Sequence, residues 1–324
     1  MTEVRRPVLL LAALLLTAAA QADTDARDWL RQMSQASQGL NYRGTFVYLH
    51  EGRLEAMRII HRADADGEQE RLFALTGAAR EVLRDNQQVT CILPRHKAVM
   101  VDRSLPRKPF PAALPRDLDA LSGQYEFLID GEDRVSGLPT RIVVIRPRDG
   151  FRYGHRLWLD LDSSLPLRSA LLDAEGQPVE QMMFTELEIL DEVPAEDLQP
   201  MLRGEEYTRR GPVRHAEGGE DMAVDERGWV VTELPAGFML THYNRVRMPS
   251  AAAPVEHLVF SDGLATVSVY VEPRQAGAHG LSGHSSRGAV NALGTQRGDV
   301  QITVVGEVPR ITVEQISQAV RPRP

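Results

Sequence analysis

Tyr42-Arg43-Gly44-Thr45-Phe46-Val47-Tyr48-Leu49 is an aromatic and β-branched run, and Leu54–His61 (LEAMRIIH) follows it after the connection Glu51-Gly52-Arg53. Such residues suit a pleated surface, and two runs joined by a short glycine-containing connection read as a β-hairpin. Further short runs recur at regular spacing: Arg71–Leu75, Glu81–Arg84, Gln88–Leu93, Ala98–Val101, Tyr125–Ile129, Thr140–Arg146, Arg152–Asp160, Pro166–Leu172 and Val179–Ile189. This spacing, with polar turns between the runs, predicts a meandering antiparallel sheet and a mainly β chain with some helix. Asp149-Gly150 reads as a tight hairpin turn that uses the positive φ open to glycine.

A helix precedes this sheet. Asp25 is placed as its N-cap, Trp29, Met33 and Ala36 recur at helical spacing, and Gly39 ends it. The proline-rich stretch Pro106–Leu118 is expected to cross a sheet edge as a loop with short helical turns. Gly204–Asp221 combines glycine, proline and charge with few core residues, and reads as a linker. Beyond it, Trp229–Val231, Phe238–Tyr243, Val255–Ser261, Ala265–Val271 and Val300–Val305 form the strands of a smaller α+β unit. Ala276–Gly298 reads as a long Gly/Ser-rich insertion, and Thr312-Val313-Glu314-Gln315 as a capping box opening a closing helix. Val313, Ile316 and Val320 occupy one face of that helix. The expected organisation is therefore 1–22, 23–203, 204–221 and 222–324, the first of these being a signal peptide.

That first assignment rests on Arg5-Arg6, the apolar run Val8–Leu16 and the small-x-small site Ala20-Gln21-Ala22. The apolar run falls short of the roughly 20 residues a membrane-spanning helix needs. Export to the periplasm follows, with cleavage after Ala22. A net charge of −8 argues against nucleic acid as a partner. The single cysteine, Cys91, rules out an internal disulfide, and in Val89-Thr90-Cys91-Ile92-Leu93 it reads as a buried small hydrophobe.

No catalytic constellation emerges. The nine histidines include no His-Glu-x-x-His pair, and His279 and His284 share a glycine-rich stretch without a carboxylate cluster beside them. Gly283-His284-Ser285-Ser286 lacks the second glycine of a nucleophile elbow, because Arg287 stands there. Glu186 and Glu188 alternate on one strand face, and Arg297-Gly298-Asp299 fits a turn before a strand. No enzyme activity and no cofactor are expected.

The strands do carry unusual apolar density on both faces: Phe46 and Tyr48 oppose Val47 and Leu49, and Met57 and Ile59 oppose Ile60. Met182, Met183 and Phe184 crowd the last strand. A sheet apolar on both sides needs cover on both, for which the first helix and the proline-rich stretch are available. Flexible methionines and aromatics on such a sheet also suit a lipid chain. Phe46, Tyr48, Met57, Ile59 and Phe184 are the candidates for lining a lipid groove.

The sequence resembles the RseB/MucB family, periplasmic negative regulators of the extracytoplasmic stress sigma factor of the sigma-E/AlgU type. Tyr42-Arg43-Gly44-Thr45-Phe46-Val47-Tyr48, Arg80-Glu81-Val82-Leu83-Arg84, Arg148-Asp149-Gly150-Phe151-Arg152-Tyr153 and Trp158-Leu159-Asp160 carry the likeness. So do Leu165-Pro166-Leu167-Arg168, Leu171-Leu172-Asp173, Trp229 and Leu234-Pro235-Ala236-Gly237-Phe238. Ser261-Asp262-Gly263-Leu264, Val267-Ser268-Val269 and Ile302–Pro309 complete it. The resemblance implies an N-terminal unclosed β-barrel similar to the lipoprotein carriers LolA and LolB, with covering helices, and a smaller C-terminal domain. It implies a protein that binds the periplasmic domain of a membrane anti-sigma factor (RseA/MucA-like) and shields it from site-1 protease. Lipid or lipopolysaccharide fragments would release that grip. Leu234, Phe238, Asp262 and Leu264 are the candidate partner contacts. Homo-oligomers are left open, and the alternative reading is a periplasmic lipid or lipoprotein carrier.

Overall fold

A computed structural model of the chain describes residues 25–85, 88–102, 114, 117–202, 208–210, 227–246, 254–273 and 281–323. The expected signal peptide and His279 lie outside these residues. Residues 25–39 are helical and form α1, with Asp25 the first of the described residues. Ala26, Leu30, Met33 and Ala36 form its buried stripe, at the three- and four-residue intervals of an amphipathic helix.

The strands β1 (Asn41–His50), β2 (Arg53–Asp64), β3 (Gly67–Ala74), β4 (Glu81–Arg84), β5 (Val89–Leu93) and β6 (Ala98–Asp102) run in sequence. They are followed by β7 (Tyr125–Val135), β8 (Leu138–Pro147), β9 (Gly154–Asp160), β10 (Pro166–Leu172), β11 (Pro178–Leu190) and β12 (Thr208–Arg210). All twelve belong to one sheet of order β12-β6-β5-β4-β3-β2-β1-β11-β10-β9-β8-β7. The sheet stays open, with β7 and β12 as its edges. β1 pairs antiparallel with both β2 and β11, so the first strand joins two meanders into one surface. β12 lies inside the stretch expected to be a linker, yet it adds to β6 in parallel.

Local turn chemistry sets the register. Glu51-Gly52 (φ 50° and 69°) joins β1 to β2, and Ser136-Gly137 (φ 51° and 86°) joins β7 to β8. Positive φ at both central residues matches the twist of the flanking strands. Asp149-Gly150 behaves differently from the expectation. The connection from β8 to β9 runs from Arg148 to Tyr153, and Gly150 is not among the glycines of positive φ. Asp149 Oδ1 accepts the Phe151 N–H at 3.0 Å, a side-chain-closed turn of the kind aspartate favours. This longer connection carries Arg152 away from the sheet.

One face of the sheet is covered by α1. Leu30 and Met33 pack with Tyr125, Phe127, Val143, Ile145, Leu157 and Leu159, and Leu118 and Leu121 close the same core. Ala36 joins Tyr42, Phe46, Met57, Ile59 and Phe184 in the adjoining cluster. On the opposite face the short turn Ala195–Leu198 brings Leu198, with Val193, onto Ile60 and Phe73. That cover comes from the chain after β11; of the proline-rich stretch, Leu114 and Leu118 pack at the α1 core, and most of the remainder lies outside the described residues.

The smaller unit contains β13 (Trp229–Val231), β14 (Met239–Val246), β15 (Val255–Ser261), β16 (Thr266–Pro273), β17 (Gly283–Arg287), β18 (Val290–Arg297) and β19 (Val300–Glu307). Helix α2 (Arg310–Ala319) and β20 (Val320–Pro322) complete it. Its sheet has the order β14-β15-β16-β19-β18-β17, and β13 pairs with β20. Val313, Ile316 and Val320 pack on Leu258, Phe260, Val267, Val269, Ile302 and Val304.

One expectation is refined here and another corrected. Within the expected Gly/Ser-rich insertion Ala276–Gly298, residues 283–297 form the β17–β18 hairpin of the sheet. Its glycines have backbone duties that composition disguises: a Cβ on Gly294 would sit 1.9 Å from the Leu281 carbonyl oxygen. The capping box does not form. Pro309 occupies the N-cap position of α2 without a side-chain cap, and Thr312, inside the helix, donates from Oγ1 to Phe151 O at 2.6 Å. A buried hydroxyl needs an acceptor, and this one finds it in the large unit. Among the described residues no helix is long and apolar enough to cross a membrane.

Candidate functional site

A groove of about 520 Å³ opens on the α1 face of the large sheet. Its floor follows from strand register. Leu72 stands opposite Val82, Val82 opposite Cys91, and Cys91 opposite Met100, so one cross-strand row runs over β3 to β6. Residues directly opposite across antiparallel strands share a face, which makes this row a continuous apolar strip. Phe46, Tyr48, Met57, Leu93, Leu157, Leu171 and Met182 also line it, and Arg80, His155, Glu180, Gln181 and Glu307 are among its polar residues.

Three of the five residues expected to line a groove, Phe46, Tyr48 and Met57, do so. The other two stand behind it. Ile59 is wholly buried in the core cluster beneath, and Phe184 packs edge-on against Phe46 with ring centroids 5.7 Å apart. Leu72, Val82, Leu93 and Met100 were not among the candidates. Their period-two alternation is visible in the sequence, but the register that aligns them is not. Cys91, expected to be interior, is half-buried and belongs to the groove wall.

Polar groups at the groove are tied down. Arg80 Nη2 donates to Glu55 Oε2 at 2.5 Å and to Met57 Sδ at 3.4 Å. The Tyr48 hydroxyl donates to Glu180 Oε2. Burial and that neighbouring carboxylate push the Tyr48 hydroxyl well above the ordinary phenol range, so it remains a donor. The other oxygen, Glu180 Oε1, accepts the backbone N–H of Ala289 at 3.0 Å. Ala289 and Glu307 belong to the small unit, which thus contributes Glu307 to the groove's edge and a hydrogen bond to one of its lining residues.

The two units meet at a second, drier point. The Arg152 side chain is wholly buried, as is that of Asp262, and Arg152 Nη1 lies 3.3 Å from Asp262 Oδ2. Arg152 Nε is 3.3 Å from Asp149 Oδ1, and Nη2 donates to Ala236 O at 2.6 Å. The guanidinium stacks over the rings of Tyr125 and Phe238, at 5.5 and 5.1 Å. Tyr125 donates its hydroxyl to Asp262 Oδ2 at 2.9 Å. Asp262 Oδ1 in turn accepts the N–H groups of Leu264 and Ala265. Arg148–Tyr153, Leu234–Phe238 and Ser261–Leu264, three of the stretches that carry the resemblance, thus converge on one buried ion pair.

This placement bears on the four candidate partner contacts. Asp262 and Phe238 are buried around Arg152, Leu264 packs against the α1 core of the large unit, and Leu234 packs on the small unit's own core. All four hold the chain to itself in this arrangement. Among the described residues no group of three His, Cys, Asp or Glu side chains could hold a metal ion. His284 contacts Asn291 Oδ1 at 2.9 Å, Glu188 pairs with Arg43 at 2.7 Å, and Gly298 turns β18 into β19.

The profile of the MucB/RseB N-terminal domain matches residues 25–202, and that of the MucB/RseB C-terminal domain matches residues 223–321. The chain belongs to the MucB/RseB family. It is 37% identical over 324 residues to the sigma factor AlgU regulatory protein MucB of Pseudomonas aeruginosa, covering 97% of this chain and 96% of that protein. The solved structure of the Pseudomonas aeruginosa MucA/MucB complex matches with a TM-score of 0.72 at 33% identity, over 93% of this chain and 99% of the other. A crystal structure of MucB matches with a TM-score of 0.63 at 31% identity, over 93% and 98%. The open antiparallel sheet and the smaller α+β unit are therefore the architecture of this family. Its named members are regulators of sigma factors.

Proposed function

We propose that this chain is a periplasmic regulator that binds the periplasmic domain of a membrane anti-sigma factor. It shields that domain from site-1 protease, and a lipid or lipopolysaccharide fragment filling the groove weakens its hold. Family membership supports the regulatory reading, since a relative sharing nearly the whole length is named for AlgU regulation and MucB is solved with MucA. The observation that carries the lipid step is the groove itself, whose apolar floor lies on the large unit while Glu307 of the small unit stands at its edge and Ala289 holds the groove-lining Glu180. A ligand there has differential contacts with two arrangements of the units, which is the condition for shifting between them.

A lipid or lipoprotein carrier is the second reading, and the groove also favours it. The small unit, joined through the buried Arg152–Asp262 pair, has no evident task in a carrier. The two readings separate on capture. The tagged mature chain, incubated with a periplasmic and membrane extract of its own host, is expected to retain an inner-membrane anti-sigma factor. Retention of outer-membrane lipoproteins instead would replace the regulatory reading with the carrier.

A further inference from the structure

Groove and domain junction share one carboxylate. Glu180 stands on β11 with both oxygens in use: Oε2 takes the hydroxyl of Tyr48, a groove-lining residue, and Oε1 takes the Ala289 N–H of the small unit at 3.0 Å. The neighbouring position favours glycine for its positive φ, and a side chain there would push the Glu180 carboxylate aside. A Cβ on Gly288, whose φ is +56°, would fall 2.5 Å from Glu180 Oε1. Gly288 and Ala289 form the β17–β18 turn, and Glu307 at the end of β19, opposite Val290 in register, comes to the groove beside it. Two carboxylates, one from each unit, therefore border the cavity and act together on the Tyr48 hydroxyl.

We infer that Glu180 is the element through which occupancy of the groove is transmitted to the small unit, making the groove a composite site whose ligand is sensed by both units. The inference rests on the lipid-binding reading above. In the empty groove, water can hydrate the exposed parts of Glu180 and Glu307. An acyl chain laid along Leu72, Val82 and Met182 replaces that water with hydrocarbon, and a carboxylate facing hydrocarbon loses solvation it does not recover. The cost falls on the docked arrangement, which holds Glu307 against the cavity and Glu180 on Ala289. It is relieved when the small unit withdraws and both groups return to water. The chain's affinity for the acyl group and its docking are then linked: whatever loosens the Glu180–Ala289 contact tightens acyl binding, typically by fivefold or more.

The test uses the full mature chain in a Cys91→Ser background, with spin labels on cysteines replacing Leu54 and Met239, both exposed and on different units. The probe is a fluorescent palmitate analogue. In the otherwise unaltered chain the probe is expected to bind and to shift the label-to-label distance distribution. Glu180→Ala should show part of that shift without probe, respond little to it, and bind it roughly fivefold to tenfold more tightly. Gly288→Ala attacks the same contact from the small-unit side, leaves the groove's chemistry untouched, and should act in the same direction. A merely structural role for Glu180 would alter stability without altering the response to probe. Equal probe-induced shifts in all three chains would overturn the inference, as would probe binding that moves the labels in none of them, and in both cases the groove reading stands. Absence of probe binding in the unaltered chain would overturn the groove reading and the coupling with it.

Discussion

Asp262→Ala is expected to undock the two units. The change leaves the wholly buried Arg152 guanidinium without its wholly buried counter-charge and removes the acceptor of the Tyr125 hydroxyl. Removing one member of a buried pair costs about 3–5 kcal/mol. Asp149 still faces Arg152 at 3.3 Å, which places the cost near about 3 kcal/mol, the low end of that range. Neither unit needs to unfold to escape it, because separation returns Arg152 to water. Calorimetry should therefore resolve separate transitions for the two units, and small-angle scattering should show a larger radius of gyration. Replacing the pair together, as Arg152→Met with Asp262→Leu, should restore much of the docking, since a well-packed apolar pair often matches a buried ionic one. An Asp262→Ala chain with unchanged scattering and calorimetry would show that the pair does not hold the junction.

The second large effect concerns the groove. Val82→Asp places a carboxylate in the middle of the row Leu72–Val82–Cys91–Met100, where bound hydrocarbon would strip it of water. Val82 is only half-buried, so the empty groove can hydrate the new charge and the fold should survive. Affinity for the palmitate analogue should fall by roughly a hundredfold or more, corresponding to about 3 kcal/mol lost on binding. Leu54→Asp, an exposed site on the first hairpin, is the matched control and should bind like the unaltered chain. A folded Val82→Asp chain that also binds like the unaltered one would place the acyl site elsewhere.

Most of the strands were legible in the sequence because period-two alternation and turn chemistry are local. Glu81–Arg84, Pro166–Leu172, Trp229–Val231 and Val255–Ser261 have the same limits in both readings. What local pattern could not give was register. Val82, Cys91 and Met100 come together only through two successive antiparallel pairings, so the groove floor was invisible while Phe46, Tyr48 and Met57, on adjoining strands of an evident hairpin, were found. The misreadings have physical reasons as well. Thr312–Gln315 matches a local motif, but Thr312 serves a contact that only the folded chain supplies, with Phe151. Asp149-Gly150 closes through the Asp149 side chain on the Phe151 N–H in place of a positive φ at Gly150. Asp262 and Phe238 were candidate partner contacts through the resemblance alone. In the fold they stand around Arg152, between the units.

The regulatory account depends most directly on a cleavage assay with purified components. The anti-sigma factor's periplasmic domain is incubated with site-1 protease, with and without the full mature chain, and cleavage is followed over time. The chain should block cleavage, and lipid or lipopolysaccharide fragments should restore it. A disulfide engineered across the junction should keep the block in place when lipid is added. Residues 23–203 alone should protect poorly, because Tyr125 and Arg152 lose the partners that the small unit provides. Cleavage proceeding at the same rate whether or not the chain is present would contradict the account.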